Sequence, residues 1–347
     1  MKVYYKILLS LFLTLAFASQ SFGSGQNRAG TYAAPELRIP VGARYLGMAG
    51  APIATVNGLE SIYWNPAGVD ITDYSANALF STRSYIADMS MNFAAVSGKF
   101  GEIGTFALSF RSLNIGDIPV TTMDQPDGTG QIINPNYFIL SLNYAKQLTD
   151  RISVGAGFNL INESIDRVSA TGLSFDFGVQ YRNLFEVPGL ALGVVVKNLG
   201  PQMKFDGNGL FVTADDPNAS RGPTFLKIET QSADLPSEMS IGLSYAYQIN
   251  SENLLYFSST FQNNNYTFDN YSFGLEYSFK NLFYLRGGYL FSPQSDDKTP
   301  NIFQNYTLGA GLNLRELSGV NINVDYAFVP VKIFDESNHV FAISLGF

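Results

Sequence analysis

The charged residues of this chain are placed by a period of two. Arg111, Asp176, Arg182, Lys197, Glu276, Lys280, Arg286, Arg315 and Asp325 each occupy a non-apolar position within a run where large apolar residues alternate with small or polar ones. Over 173–182, Leu173, Phe175, Phe177, Val179 and Tyr181 interleave with Ser174, Asp176, Gly178, Gln180 and Arg182. On a strand such alternation puts the two sets on opposite faces. Charges of both signs gathered on one face can pair with each other or hold a polar group. Groups for bond-breaking chemistry are scarce. The chain has 1 His and 0 Cys, so a Ser-His-Asp triad would have to use His339, and a histidine metal site would lack further ligands. The absence of Cys excludes disulfides, thiolate metal sites and Cys nucleophiles. Asp117, Asp124 and Asp127, and the pairs Asp215-Asp216 and Asp296-Asp297, fall in expected loops. Their spacing matches no calcium loop, and a solvated face is the simpler reading. No enzyme activity, cofactor or metal is expected.

The elements that carry these positions read as strands. Charged residues are 14% of the chain, about half the usual share of a soluble domain. The net charge of -8 argues against a nucleic-acid partner. Mean hydropathy is only +0.05, too low for a helical membrane protein. The period of two marks about fourteen strands, an even number as a membrane barrel requires. They run over 77–85, 89–99, 104–114, 137–148, 152–163, 170–183, 190–199, 237–249, 253–264, 270–280, 282–292, 304–316, 320–330 and 339–347. Short connections alternate with longer ones at 115–136, 200–236, 293–303 and 331–338. A sandwich would cover its outer face with Lys and Glu, whereas Gly and Ser dominate the non-apolar set here. A transmembrane antiparallel β-barrel accounts for all of this, with its apolar face in lipid, its polar face in the lumen and both termini periplasmic. A charge facing lipid at mid-depth would cost about 2–4 kcal/mol, so the alternating charges are expected to face inward.

The first residues give the compartment. Lys2 and Lys6 precede an apolar stretch over 7–18, followed by small residues that allow cleavage between Ala18 and Ser24. Residues 1–23 are therefore expected to be a signal peptide. Residues 24–76 do not alternate. A short helix is expected over 58–64, capped by Asn57 and ended by Pro66 and Gly68. A lumen of this width is not filled by wall side chains alone. The segment is expected to fold inside it as a plug, ahead of a barrel over 77–347. Arg44 and Glu60 are its candidate charged partners, and a periplasmic tail is the alternative.

Gly42-Ala43-Arg44, then Gly47-Met48-Ala49-Gly50, then Tyr63-Trp64-Asn65-Pro66-Ala67-Gly68 resemble the start of the PorV/PorQ family of FadL-like outer-membrane proteins. Further likenesses fall at 110–118, 174–178 and 194–200 and at the Phe347 end. The resemblance implies an amino-terminal hatch built on Gly47, Gly50, Trp64, Asn65, Pro66, Ala67 and Gly68. It also implies one of two functions. PorV-like members act with the type IX secretion apparatus, handling cargo proteins by their carboxy-terminal signal domains. FadL-like members pass hydrophobic small molecules through the outer membrane.

Two further surfaces suggest partners. Phe205, Leu210, Phe211, Phe225 and Leu226 lie in the long loop 200–236, where exposed apolar residues mark a binding surface or a lid. At the carboxy-terminus Phe341, Ile343, Leu345 and Phe347 make one apolar face. That face is the expected signal for the barrel-assembly machinery. Outer-membrane lipid and lipopolysaccharide are the expected surroundings.

Overall fold

The computed structural model describes residues 30–214, 224–293, 303, 305–315, 321–332 and 337–347. The expected signal peptide, Asp215-Asp216 and Asp296-Asp297 lie outside the described residues.

The strands are β1 (Ala76–Ser84), β2 (Ser90–Lys99), β3 (Thr105–Asn114), β4 (Ile118–Pro119), β5 (Ile132–Ile133), β6 (Asn136–Gln147), β7 (Ile152–Ile165), β8 (Val168–Arg182) and β9 (Leu190–Leu199). They continue as β10 (Phe211–Ala214), β11 (Thr224–Lys227), β12 (Glu238–Gln248), β13 (Asn253–Asn264), β14 (Asn270–Phe279), β15 (Phe283–Phe291), β16 (Tyr306–Asn313), β17 (Asn321–Pro330) and β18 (Ser337–Gly346). All but β4, β5, β10 and β11 join one closed antiparallel barrel, in which β18 pairs with β1 through Ala78↔Leu345 and Phe80↔Ile343. The other four form two small hairpins, β4–β5 and β10–β11.

The period of two sets the wall. Outward residues such as Phe80, Val96, Leu108, Phe177 and Phe341 are exposed, while inward neighbours such as Ser81, Ser109, Ser141, Asp176 and Ala342 are buried. That apolar exterior is stable in lipid, and closure leaves no backbone edge unpaired there. Two boundaries differ from the sequence reading. β16 stops at Asn313, so Arg315 lies beyond it. β7 and β8 extend further than expected, and only Asp166-Arg167 connects them, because Asp166 takes a left-handed φ of 50° and allows a tight reversal.

Residues 30–75 thread this barrel lengthwise. Ala33 N–H donates to Asp234 O in the long loop, and Tyr32 packs against Tyr266. At the opposite end the Asp70 carboxylate accepts from Thr105 and from Gln147 N–H, beside the short turns. Ser75 N–H then donates to Phe347 O. The first described residues and Phe347 thus lie at opposite ends of the barrel.

The local folds of the segment follow from its residues. Pro35 and Pro66 each open a 3-10 turn, Pro35–Arg38 and Pro66–Asp70. The Asn65 side chain caps the second by accepting from Ala67 N–H. The expected helix is shorter, Ser61–Trp64, and Asn57 does not cap it. The Asn57 carboxamide oxygen instead accepts from Arg44 and from the Tyr45 hydroxyl.

Candidate functional site

The site is the contact between this segment and the inner wall. Gly155 of β7 and Gly178 of β8 are register partners. A Cβ on Gly155 would lie 2.3 Å from the Pro66 carbonyl carbon, and one on Gly178 would lie 2.0 Å from Asn65 Oδ1. Only a wall without side chains admits the Asn65-Pro66-Ala67 backbone there. Asn65 is fully buried, and its Nδ2 donates to Ile53 O at 3.0 Å and to Val179 O at 3.2 Å. One amide therefore ties two turns of the segment to β8. Trp64 lies edge-on to Tyr63, with ring centroids 4.9 Å apart, and covers Gly50. Gly68 packs on Val56 O, Gly47 on Gly309 of β16, and Ala67 is fully buried.

The opposite side is held by charge. Glu276 and Arg286 are register partners on β14 and β15. Arg286 Nε meets Glu276 at 2.6 Å, and its Nη1 meets Asp325 of β17 at 2.6 Å. Arg44 reaches Glu276 from the segment, at 3.2 Å through Nη2 and 3.3 Å through Nε. Glu60 accepts backbone N–H bonds from Ala43, Arg44 and Tyr45. Burial and then the Asp325 charge push its carboxyl up to about 7, against the Arg44 and Tyr45 N–H donors and the Arg286 charge. A further pair joins Lys197 of β9 to Glu238 of β12 at 2.7 Å. Lys197 Nζ stands 4.0 Å from the centre of the Tyr63 ring, and Arg111 covers the same ring at 5.5 Å. Asp176 accepts from Asn159 and from Asn198 N–H.

Three of the alternating charges sit elsewhere. Arg182 is only half-buried, at the inner rim, where it donates to Gln147. Lys280 is in the turn after β14 and pairs with Glu252. Arg315 is exposed past the end of β16, over the Tyr74 ring, so it faces no lumen. Arg182 is the last residue of β8, and Lys280 and Arg315 lie past the ends of β14 and β16.

The loop 200–236 divides in two. Met203 and Leu235 are buried with Ala34, Leu37, Ile139, Ile161 and Ala170, and Phe205 packs against this cluster. They pack the base of the loop onto the start of the segment at the long-loop end. Phe211, Phe225 and Leu226, by contrast, lie on the β10–β11 hairpin and are 47%, 75% and 53% exposed, with Leu210 half-buried beside them. Phe341, Ile343 and Phe347 are exposed on the outer wall and Leu345 is half-buried.

Sequence reasoning missed Glu36, Glu163 and Glu238, and the lid residues Met203 and Leu235. Glu163 follows the inward apolar Ile161, which breaks the polar alternation of β7. Glu238 is the first residue of β12, where strand boundaries are least certain. Burial, and then the charge of Glu163, pushes the Glu36 carboxyl up to about 8.

No curated protein matches the chain in sequence. Solved structures match in fold. A monoaromatic hydrocarbon channel, the TodX deltaS2S3 mutant, has a TM-score of 0.60 at 13% identity, over 88% of this chain and 99% of its own. The Ralstonia pickettii toluene transporter TbuX gives 0.55 at 13% identity, over 88% and 98%. A Pseudomonas aeruginosa FadL homologue gives 0.51 at 12% identity, over 89% and 98%. The family model for the type IX secretion system protein PorV matches residues 22–225. The fold is that of a bacterial outer-membrane β-barrel, and the match covers more than half of the 347 residues. The chain therefore belongs to the PorV family of type IX secretion system proteins.

Proposed function

We propose that this protein is a non-enzymatic outer-membrane component of type IX protein secretion that receives a cargo signal domain or partner protein on its long-loop end. The segment over 30–75 stays in the barrel as a plug throughout. One observation carries the reading: the segment backbone is seated in glycine gaps of the wall, Gly155 and Gly178 above all, and is tied to the far wall by Arg44 and Glu276. A plug seated this closely leaves the outside as the working surface. The β10–β11 hairpin presents Phe211, Phe225 and Leu226 there. In this reading the short turns and Phe347 face the periplasm, and the long loops face outward. Phe341, Ile343, Leu345 and Phe347 serve the barrel-assembly machinery.

Uptake of a hydrophobic small molecule is the second reading. A groove of about 500 Å³ on the outer wall favours it, lined by Ala78, Phe80, Ala94, Val96, Leu108 and Ile343, with inward Leu79, Ala95 and Ser109 at its floor. The ion-paired lumen weighs against it, since an apolar guest would have to pass Glu276, Arg286 and Asp325.

Replacing Phe211, Phe225 and Leu226 together by Ser separates the readings. These side chains project from a two-stranded hairpin outside the barrel, so heat-modifiable gel migration should be unchanged. Cargo should accumulate in the periplasm of cells carrying the variant. Full surface delivery of cargo would overturn the reading.

A further inference from the structure

The apolar outer wall is not the same height all round. On β14 the outward residues Tyr271, Phe273, Leu275, Tyr277 and Phe279 are all large and apolar, over about 27 Å of strand. On β1 they run Ala76, Ala78 and Phe80, about 14 Å, and then turn polar at Thr82 and Ser84. β2 and β3 keep step, since Asn92 is the register partner of Thr82 on one side and of Ser112 on the other. All three are half-buried on the outer face, towards the long-loop end. A membrane barrel carries an apolar band about 25 Å tall. The row of Thr82, Asn92 and Ser112 thus interrupts a span that is apolar throughout on β14, and a polar side chain in hydrocarbon is costly without a hydrogen-bond partner.

Beside this row lies the groove of about 500 Å³ on the outer wall. It exists because Ala78 and Ala94 are small, while Phe80, Leu108, Phe110 and Ile343 around them are 45–53% exposed. Its floor is shut. β1 and β2 pair without a break from Ala76↔Gly98 to Ser84↔Ser90, and β2 and β3 from Gly98↔Phe106 to Ser90↔Asn114. Behind them Leu79, Phe93 and Ala95 pack in one cluster with Ile39, Val41 and Ile62 of the segment. A guest in the groove therefore stays on the membrane side.

The chemistry beside the groove selects the guest. Among the described residues no Lys, Arg, Asp or Glu faces outward from β18, β1, β2 or β3, so neither a phosphate nor an ammonium finds a partner. Thr82 Oγ1 donates to Asn92 Oδ1 at 2.9 Å, which leaves the Asn92 Nδ2 and the Ser112 hydroxyl as uncharged donors. They stand two residues, about 7 Å, along their strands from Ala94 and Phe110 of the groove. Uncharged donors at that distance from an apolar groove match a carbonyl linkage with a hydrocarbon chain attached. We propose that the β18–β1–β2–β3 sector holds one membrane lipid, its acyl chain in the groove and its ester or amide carbonyls on Asn92 and Ser112. The polar row is then hydrogen-bonded at a depth where the wall elsewhere meets only hydrocarbon.

Photolabelling of the full chain in detergent micelles tests this. The probe is a phosphatidylcholine at low mole fraction, with a diazirine in one acyl chain, and adducts are mapped by mass spectrometry. β14, apolar and lipid-facing along its length, is the internal control. Adducts should fall several-fold more often on β1–β3 than on β14. The double variant Ala78→Leu, Ala94→Leu fills the groove with apolar side chains and should bring the two sectors level, with heat-modifiable gel migration reporting that its barrel has closed. An ether-linked analogue of the probe lacks the carbonyls and should label both sectors of the wild type alike; this comparison needs no variant. Equal labelling of the two sectors by the ester lipid overturns the proposal. So does an enrichment that survives filling of the groove, or that the ether lipid reproduces. Fewer adducts on β1–β3 than on β14 would put protein, such as a second copy of this chain, on the face, and would overturn it as well.

Discussion

Asn65 joins two turns of the segment to the barrel wall. Its amide caps Pro66–Asp70, bonds Ile53 O and reaches Val179 O across the gap left by Gly178. Gly178→Ala would drive a methyl group into Asn65 Oδ1. Removing one buried hydrogen-bond set costs about 1–3 kcal/mol, so the temperature of the heat-modifiable gel shift should fall by several degrees; an unchanged shift would mean that Asn65 is not seated there. Glu60 makes the segment sensitive to pH. Its carboxyl is raised from 4.5 to about 7, so the folded state holds the proton more tightly than the unfolded chain. The resulting stabilisation is complete below pH 4.5 and is lost as pH rises through 7. Glu36, raised to about 8, acts in the same direction. Thermal midpoints measured from pH 4.5 to 8 should fall more steeply for the wild type than for Glu60→Gln, and parallel curves would contradict the assignment.

At the scale of elements, the strands were legible because lipid outside and a polar lumen inside impose one period on every wall strand. Tyr271, Phe273, Leu275 and Tyr277 mark β14 without any help from tertiary contacts. The lengths of β7 and β8 were less legible, because a left-handed Asp166 turns the chain where a longer loop had been read. The segment was legible in composition only. Gly50, Trp64 and Asn65 announce close packing, but nothing local says that Gly50 lies under Trp64 or that Asn65 faces Gly178. Those contacts join residues more than 100 positions apart in the latter case, and a single sequence carries no record of them. The same holds for the ion cluster, whose members could be named but not paired. Its geometry makes a prediction. Arg286→Met leaves Glu276 and Asp325 facing each other with only Arg44 nearby, at a cost of about 3–5 kcal/mol. Urea titration in micelles should show that loss. Replacing Glu276 and Asp325 by apolar residues in the same chain should restore part of it, and no loss in the single variant would show that the cluster does not hold β14, β15 and β17 to the segment.

At the scale of the whole molecule, lipid covers the outer wall, glycine gaps and ion pairs hold the segment inside, and the described parts of loop 200–236 pack Met203 and Leu235 onto the segment and carry the apolar strands β10 and β11. The outer end was the hardest part to read ahead. Phe205 and Phe211 are alike in composition, yet one packs under the lid and the other faces solvent, because Met203 and Leu235 draw the base of the loop onto Ala34 and Leu37. The central claim is that the segment need not move for the protein to work. Ala49 N–H already donates to Thr307 Oγ1 at 3.0 Å, and the chain has no other Cys, so Ala49→Cys with Thr307→Cys offers a disulfide that fixes segment to wall and can be released by reductant. The account predicts that cells carrying the oxidised, locked form deliver secreted cargo to the surface as well as the reduced form does. Cargo delivery that stops on oxidation and returns on reduction would contradict it.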